Sequence, residues 1–274
     1  MPKDIHVLLI EDDLYARDLM SMLLTRDWRT RVVGEAGSES EVERFLRDPM
    51  NRVGAIVLDT EVPGDPDWPF RVAGYAQRSG ERALGVEPPA ILCTATRPDP
   101  EMIRRVVNGK FAGYLLKREV GYALAAAIAL AVKQGKWIIT RGAYQLALRE
   151  RIRLPENAVV MDGTKPAANL TAREAEIARL AILFNHPHRD LSDELVIRAD
   201  QVSKHVSSVY TKLGLDEILN GEISPEVFFQ DQLVLQRFQK ILDRVGTSKS
   251  VRKTADMATL AFHLLTVPEI IEKW

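Results

Sequence analysis

The chain has 274 residues, 46% hydrophobic and 27% charged, with a formal net charge of −1, the make-up of a globular protein of about two domains. Its one cysteine, Cys93, excludes a disulfide scaffold, and its longest apolar run, residues 123–132, is about half of what a bilayer crossing needs. The start, Met1-Pro2-Lys3-Asp4, lacks the basic-then-apolar order of a secretory signal, so a reducing, cytoplasmic setting away from membranes is expected.

In chain order, Ile5–Ile10 reads as a strand ended by the acids Glu11-Asp12-Asp13, and Leu14, Leu19, Met22 and Leu23 follow at helical spacing. Arg31-Val32-Val33 is a second strand. Ser38-Glu39-Ser40-Glu41 has the form of a capping box opening a helix through Phe45 and Leu46. Val53–Leu58 is a third strand, stopped by Asp59 and the breakers Pro63-Gly64-Asp65-Pro66, and Ala90–Cys93 a fourth. Asp99-Pro100 starts a helix with an N-cap residue and a first-turn proline. Ala112–Leu116 is a fifth strand and Val120–Val132 an Ala-rich helix. Five apolar strands alternating with helices predict a doubly wound five-stranded parallel sheet, whose ligand crevice lies beyond the carboxyl ends of the strands.

At those ends stand Glu11 and Asp12, then Asp59, then Thr94, then Lys117. Three carboxylates meeting in one crevice repel one another unless a cation sits among them, and hard oxygen ligands favour Mg²⁺. Lys117 offers a point positive charge and Thr94 a hydroxyl donor for phosphoryl oxygens. The constellation fits an aspartyl nucleophile that becomes an acyl phosphate.

With these motifs (Glu11-Asp12, Asp59 in Val-Leu-Asp-Thr-Glu-Val-Pro-Gly, Thr94-Ala95, and Tyr-Leu-Leu-Lys ending at Lys117), residues 5–134 resemble the receiver domain of two-component response regulators. The resemblance implies a flavodoxin-like fold and Mg²⁺ held by Glu11, Asp12 and Asp59 with a backbone carbonyl near Glu61. It implies that Asp59 takes a phosphoryl group from a sensor histidine kinase and that Thr94 and Lys117 grip it. Tyr114 then stands as the aromatic switch, rotating into space that Thr94 vacates. The Asp59–Thr94 interval is long for the family, so the loop Pro63–Phe70 is expected to have its own geometry.

Residues 136–168 read as a connector: Trp137-Ile138-Ile139 is apolar, Arg149–Arg153 charged, and Gly163-Thr164-Lys165-Pro166 a break. Beyond it, Thr171 and Glu174 stand at capping-box spacing, with Ile177, Leu180 and Ala181 as the apolar stripe of a helix. A second helix is predicted over His188–Leu195 and a third over Asp200–Lys212, with Val202, Val206, Val209 and Leu213 inward and Gly214 as its stop. Residues 169–215 thus resemble the helix-turn-helix output domain of NarL/LuxR-type regulators, through Leu170-Thr171-Ala172-Arg173-Glu174, His205–Val209 and Lys212–Leu215. The resemblance implies that the third helix enters the major groove of promoter DNA, with Arg198, Gln201, Ser203, Lys204, Ser207, Ser208 and Lys212 as contacts, in a homodimer. This chain departs from the family with Val196 in place of a turn glycine, Ser203 in place of a basic residue, and a small insertion at residues 185–188. Six basic residues face six acidic ones over residues 169–215, so an output that binds protein rather than DNA, or acts without phosphorylation, stands as the alternative.

Residues 216–274 form an extension. Ser224-Pro225-Glu226 reads as a helix start, followed by a stripe of Phe228, Leu235, Phe238, Leu242 and Val245 and a second of Met257, Leu260, Ala261, Leu264 and Leu265. These faces need a partner, in the domain itself or outside it. The basic run Arg237, Lys240, Arg244, Lys249, Arg252 and Lys253 reads as a solvated helix surface or a supplement to the DNA face. His186, His188 and His205 lack the company of a zinc site; His6, His263 and Cys93 read as packing residues. A haloacid dehalogenase-type phosphatase is disfavoured, because those enzymes place the nucleophile before the paired acids and a second Asp two residues on, where this chain has Glu61. No enzymatic turnover is expected.

Overall fold

The structure, a computed structural model, describes residues 3–61, 65–82, 87–165, 170–245 and 250–271. The chain divides into two units, one of Lys3–Thr164 with the segment from Pro268 onward, the other Lys165–Val267. Pro63 and Gly64, Pro166, the expected boundary at Ala168, and Lys249 lie outside the described residues.

The first unit runs β1 (Ile5–Ile10), α1 (Leu14–Arg26), β2 (Thr30–Ala36), α2 (Glu39–Arg47), β3 (Ala55–Asp59), α3 (Trp68–Arg82), β4 (Ala90–Ala95), α4 (Pro100–Asn108) and β5 (Gly113–Leu116). It continues through the short α5 (Lys117–Val120), α6 (Leu124–Gln134), β6 (Trp137–Thr140), α7 (Arg141–Arg149) and β7 (Ala158–Thr164), and is completed by β8 (Pro268–Ile271). The sheet order is β2-β1-β3-β4-β5-β6-β7-β8, all neighbours parallel except β7 and β8. Alternation along a strand feeds two cores. Leu8, Ile10, Ile56 and Leu58 pack with Val42, Val72, Ile103 and Ala143 on one face. Val7, Leu9 and Val57 pack with Leu24, Leu124 and Ile128 on the other.

The local signals hold with one change. Asp13 caps α1 by accepting from the Ala16 N–H at 2.8 Å, and Asp99 caps α4 ahead of Pro100. At α2 the Ser38 side chain makes no cap; Glu41 instead reaches back to accept from the Gly37 N–H at 2.7 Å.

The expected five strands are the first five of the eight among the described residues, and the expected connector is where the two differ. Residues 136–168 carry β6, α7 and β7, which widen the sheet beyond β5. The reason lies in composition: Trp137-Ile138-Ile139 and Ala158–Met161 are short apolar runs like the earlier strands, and all are buried except half-buried Val159. The charged residues Arg149–Arg153 only end α7 and turn the chain.

The second unit contains α8 (Ala172–Ile177), which continues as a π-helical turn (Ala178–Leu183), then α9 (His188–Glu194), α10 (Ala199–Lys212) and α11 (Leu215–Leu219). Val202, Val206, Val209 and Leu213 are buried as their spacing requires. In the extension, Pro225–Val227 is a single 3₁₀ turn, and the helix begins later, at α12 (Gln232–Val245), where Asp231 accepts from the Leu233 and Val234 N–H groups. The buried stripe is therefore Leu233, Val234, Phe238, Ile241 and Val245, not one through Phe228, Leu235 and Leu242. It packs with α13 (Ser250–Leu265), which in turn packs on the π-helical turn, so the apolar faces of the extension are used within the unit.

Candidate functional site

Strand ends deliver the site. β1 and β3 lie side by side, so Glu11 and Asp59 emerge together, and Asp59 is the register partner of Thr94 on β4. Glu11 and Asp59 are buried, Asp12 is exposed, and one carboxylate oxygen from each lies within 4.8 Å of the others. The Lys117 Nζ donates to Glu11 Oε1 at 3.0 Å and stands 2.7 Å from Oε2 and 3.3 Å from Asp59 Oδ2. Burial pushes the Asp59 carboxyl up. It pushes Glu11 up to about 7, with the Asp59 charge adding to it against the hydrogen bond from Lys117. Burial opposes the Lys117 charge, but Glu11 and Asp59 outweigh it and hold the ammonium above its usual range.

The donor chemistry fits a divalent ion. Three carboxylates against one ammonium leave two negative charges uncompensated in a partly buried crevice, and an all-oxygen set is that of a hard cation such as Mg²⁺. Among the described residues this is the one group of three acidic or ligating side chains so placed, and His186, His188 and His205 form none.

Thr94 is fully buried and its Oγ1 has no hydrogen-bond partner, while its carbonyl accepts from the Thr60 N–H and hydroxyl. Tyr114 is also fully buried: its hydroxyl donates to the Arg97 carbonyl at 3.3 Å and accepts from the Asp99 N–H at 3.4 Å. The Glu61 N–H donates to Asp59 Oδ1 at 3.2 Å, and its carboxylate accepts from the Thr96 and Arg97 amides.

Several supporting residues had escaped the sequence reading. Buried Trp68 donates from Nε1 to the Asp59 carbonyl at 3.1 Å, and Arg17 Nη1 donates to the Glu11 carbonyl at 2.8 Å. Arg71 joins Glu39 and Asp65, and Tyr75 donates to Glu39, fixing α2 against α3 beside the loop. No periodic signal marks such contacts; only the density of Asp, Trp and Arg around residues 59–71 hints at them.

In the second unit the expected DNA contacts separate into two groups. Arg198, Gln201, Ser203, Lys204 and Ser207 are exposed on α10 or its cap. Arg198 pairs with Asp200 at 3.0 Å, Lys204 stands 3.9 Å from the same carboxylate, and Ser203 Oγ lies 3.2 Å from His188 Nδ1. Ser208, half-buried, and Lys212, exposed, are engaged with α8: both donate to Glu174, at 2.7 Å each, which Thr171 also contacts as the reciprocal half of its capping box. These two residues hold α10 to α8, a role their outward position on a helical wheel had concealed.

Val196, between α9 and α10, has φ 51° and is 89% exposed. The Ile197 N–H donates to the Ser192 carbonyl and the Val196 N–H to that of Asp193, the double bond of a Schellman stop. No helix among the described residues is long and apolar enough to cross a membrane.

No family profile and no curated protein sequence matches the chain. Solved structures do. The RcsB response regulator of Salmonella typhimurium is 18% identical, with 78% of this chain and 93% of that one covered and a TM-score of 0.45. ChrA, a response regulator of a heme-sensing two-component system, is 23% identical over 78% of this chain and 92% of that one, with a TM-score of 0.37. A LuxR-family two-component regulator from Aurantimonas sp. SI85-9A1 is 19% identical over 55% of this chain and 99% of that one, with a TM-score of 0.45. The solved structures to which the chain is similar are thus described as response regulators.

Proposed function

We propose that the chain is a phosphorylation-controlled response regulator whose second unit binds DNA. The observation that carries the reading is the Lys117 ammonium bridging buried Glu11 and Asp59, with Asp12 alongside and the unpartnered Thr94 hydroxyl one strand over. An Asp59 oxygen attacks phosphorus as the bond to the donor, a histidine of a sensor kinase, breaks, leaving an acyl phosphate on Asp59. The Lys117 ammonium faces the added negative charge and the Thr94 hydroxyl donates to a phosphoryl oxygen. Such a charge-assisted bond is worth about 1.5–3 kcal/mol, about tenfold to 150-fold in a two-state population. Glu11, Asp12 and Asp59, with a backbone carbonyl near Glu61, would hold Mg²⁺, which when bound neutralises charge on the incoming phosphoryl group. The product is a stoichiometric phosphoprotein rather than a turnover enzyme.

On the output side, Arg198, Gln201, Ser203, Lys204 and Ser207 form the face presented to the major groove, in a homodimer as such sites commonly require. A second reading, an output that grips protein, is favoured by one observation. Asp190, Asp193, Glu194 and Asp200 are exposed among Arg189, Arg198 and Lys204, which thins the phosphate attraction that supplies much of DNA affinity. The test is mass measurement after treatment with acetyl phosphate and Mg²⁺, for the native chain and Asp59→Asn, followed by salt-dependent gel shifts on promoter DNA. One phosphoryl group on the native chain and none on the variant is the expected result. A native chain that gains none refutes the phosphorylation reading, and one that gains it yet shifts no DNA turns the output towards protein.

A further inference from the structure

The turn that carries Lys117 is tied to the added edge of the sheet by three contacts. The Leu116 N–H donates to the hydroxyl of Thr140 at 2.9 Å, and Thr140 is fully buried. Thr140 occupies the N-cap position of α7 but makes no cap bond there. That duty falls to Glu119, two residues after Lys117, whose Oε2 accepts from the Gly142 N–H at 2.8 Å. A carboxylate placed there also faces the positive end of the α7 dipole. The third contact is one of backbones: Gly163 on β7 has φ +73°, and a Cβ at this position would stand 2.8 Å from the Glu119 carbonyl oxygen. Only glycine lets β7 lie so close to the Lys117 turn.

β7 is where the second unit is rooted. The first unit's chain departs after Thr164 and re-enters at Pro268, and these two residues are register partners in the β7–β8 pair, with Met161 opposite Ile270 and Val160 opposite Ile271. The second unit is therefore an insertion in the chain between two paired strands. β5, the strand that leads into Lys117, is equally enclosed, since β6 pairs along it and Tyr114 shares a core with Trp137, Ile139 and Leu146.

We propose that Thr140, Glu119 and Gly163 form a coupling joint that links the Lys117 turn to the strand pair rooting the second unit. Thr140 and Glu119 act as positioning residues. A phosphoryl group on Asp59 draws Lys117 from its present contacts with Glu11 and Asp59, and the Leu116 and Glu119 bonds carry the movement to α7 and β7. A close-packed sheet interior transmits such shifts because it has no slack to absorb them. The joint rests on the reading of Asp59 as phosphoacceptor, and it adds a route that does not need Tyr114 to rotate.

The test is hydrogen exchange of the full chain, with and without beryllofluoride and Mg²⁺, read at residues 158–164 and 267–271, alongside phosphoryl uptake from acetyl phosphate by mass. The variants are Thr140→Val, which keeps shape and loses the hydroxyl; Thr140→Ser, which keeps the hydroxyl; and Glu119→Ala against Glu119→Gln. Expected is a several-fold change in exchange at β7 and β8 in the native chain, kept in Thr140→Ser and Glu119→Gln. Thr140→Val and Glu119→Ala are expected to take up the phosphoryl group and lose the change. Should Thr140→Val fail to fold, the Glu119 pair decides. Native uptake without a change at β7 and β8, or an unaltered change in both Thr140→Val and Glu119→Ala, overturns the joint alone. No uptake by the native chain overturns the phosphoacceptor reading and the joint with it.

Discussion

Replacing Val196 by glycine should stabilise the second unit. Val196 is the residue just past the end of α9, held at φ 51° by the two hydrogen bonds of a Schellman stop. A left-handed conformation costs an L residue about 1–2 kcal/mol, and a β-branched one pays at the upper end. Glycine removes that strain but raises the entropy of the unfolded chain, a loss of about 0.4–1 kcal/mol. The side chain is 89% exposed, so truncation forfeits almost no burial. The net is a gain of about 0.5–1 kcal/mol, or a melting-temperature rise of about 2–6 °C for a unit of about 100 residues. Because the two units are separate bodies of chain, thermal unfolding followed by circular dichroism and calorimetry should show the rise in one transition and none in the other. Val196→Ala should gain less than Val196→Gly, since alanine sheds the β-branch but still carries a Cβ at positive φ. A Val196→Gly protein no more stable than the native one, or a Val196→Ala protein equally stabilised, would refute backbone strain as the cause.

Three further outcomes follow from particular contacts. Arg29→Ala leaves the Asp27 carboxylate, 2% exposed, without the guanidinium that meets it at 2.6 and 2.8 Å, and should cost the first unit about 3–5 kcal/mol in denaturant unfolding. The Lys212 and Ser208 bonds hold the Glu174 carboxyl well below the usual range, so its stabilisation is full above the unfolded value near 4.3 and is lost as pH falls below it. Glu174→Gln should flatten the acid limb of the second unit's stability curve, and identical limbs in the two proteins would contradict this. Thr94→Ala should still gain a phosphoryl group by mass yet lose the phosphorylation-dependent change in DNA affinity; a fully responsive variant would discard Thr94 as the relay's first member.

Much of this was legible from residues alone because it depends on short-range rules. Short continuous apolar runs gave β1 to β5, and the residues just after them gave Glu11, Asp12, Asp59, Thr94 and Lys117, because chain direction in a parallel sheet puts every strand's carboxyl end on one side. β6 and β7 were missed for a different reason. Their runs are four to seven residues long, and a charged stretch between them looked like a linker; only the pairing of β6 with β5 and of β7 with β6 makes them strands. β8 was beyond reach, since Pro268 opens it and its partner lies over a hundred residues earlier in the chain. On α10, helical spacing identified the buried valines but placed Ser208 and Lys212 outside, because a wheel records direction and not the reach of Glu174 from α8. Val196 stands where the resemblance leads one to expect glycine, yet the chain keeps the turn that glycine would favour, with strain in place of freedom.

The pH response of the crevice offers a check on the proposed metal site that needs no phosphoryl donor. Glutamate titrates near 4.3 in an unfolded chain, whereas burial and the adjacent Asp59 raise Glu11 to about 7 in the fold, and Asp59 moves in the same direction. A folded-state pKa above the unfolded one gives stability that is complete at low pH and is lost as pH rises through the folded value. Without divalent cations the first unit should therefore weaken between about pH 4.5 and 7. Lys117 titrates far above this window and contributes a constant there. That rise corresponds to about 4 kcal/mol at most, and screening at a crevice open on the Asp12 side reduces it to about 1–2 kcal/mol. Asp59→Asn removes the carboxylate that crowds Glu11 and leaves Glu11 and Lys117 as a neutral pair, so its stability should fall less over the same range. Mg²⁺ should stabilise the native chain more at pH 8 than at pH 5, because the ion binds ionised carboxylates, and should do little for the variant. Denaturant unfolding at the two pH values, in chelator and in Mg²⁺, measures all four quantities. Parallel pH profiles for native and variant, or equal Mg²⁺ effects at both pH values, would mean that Glu11 and Asp59 do not share one cation, and the crevice would then lose its electrostatic reason for holding three acids together.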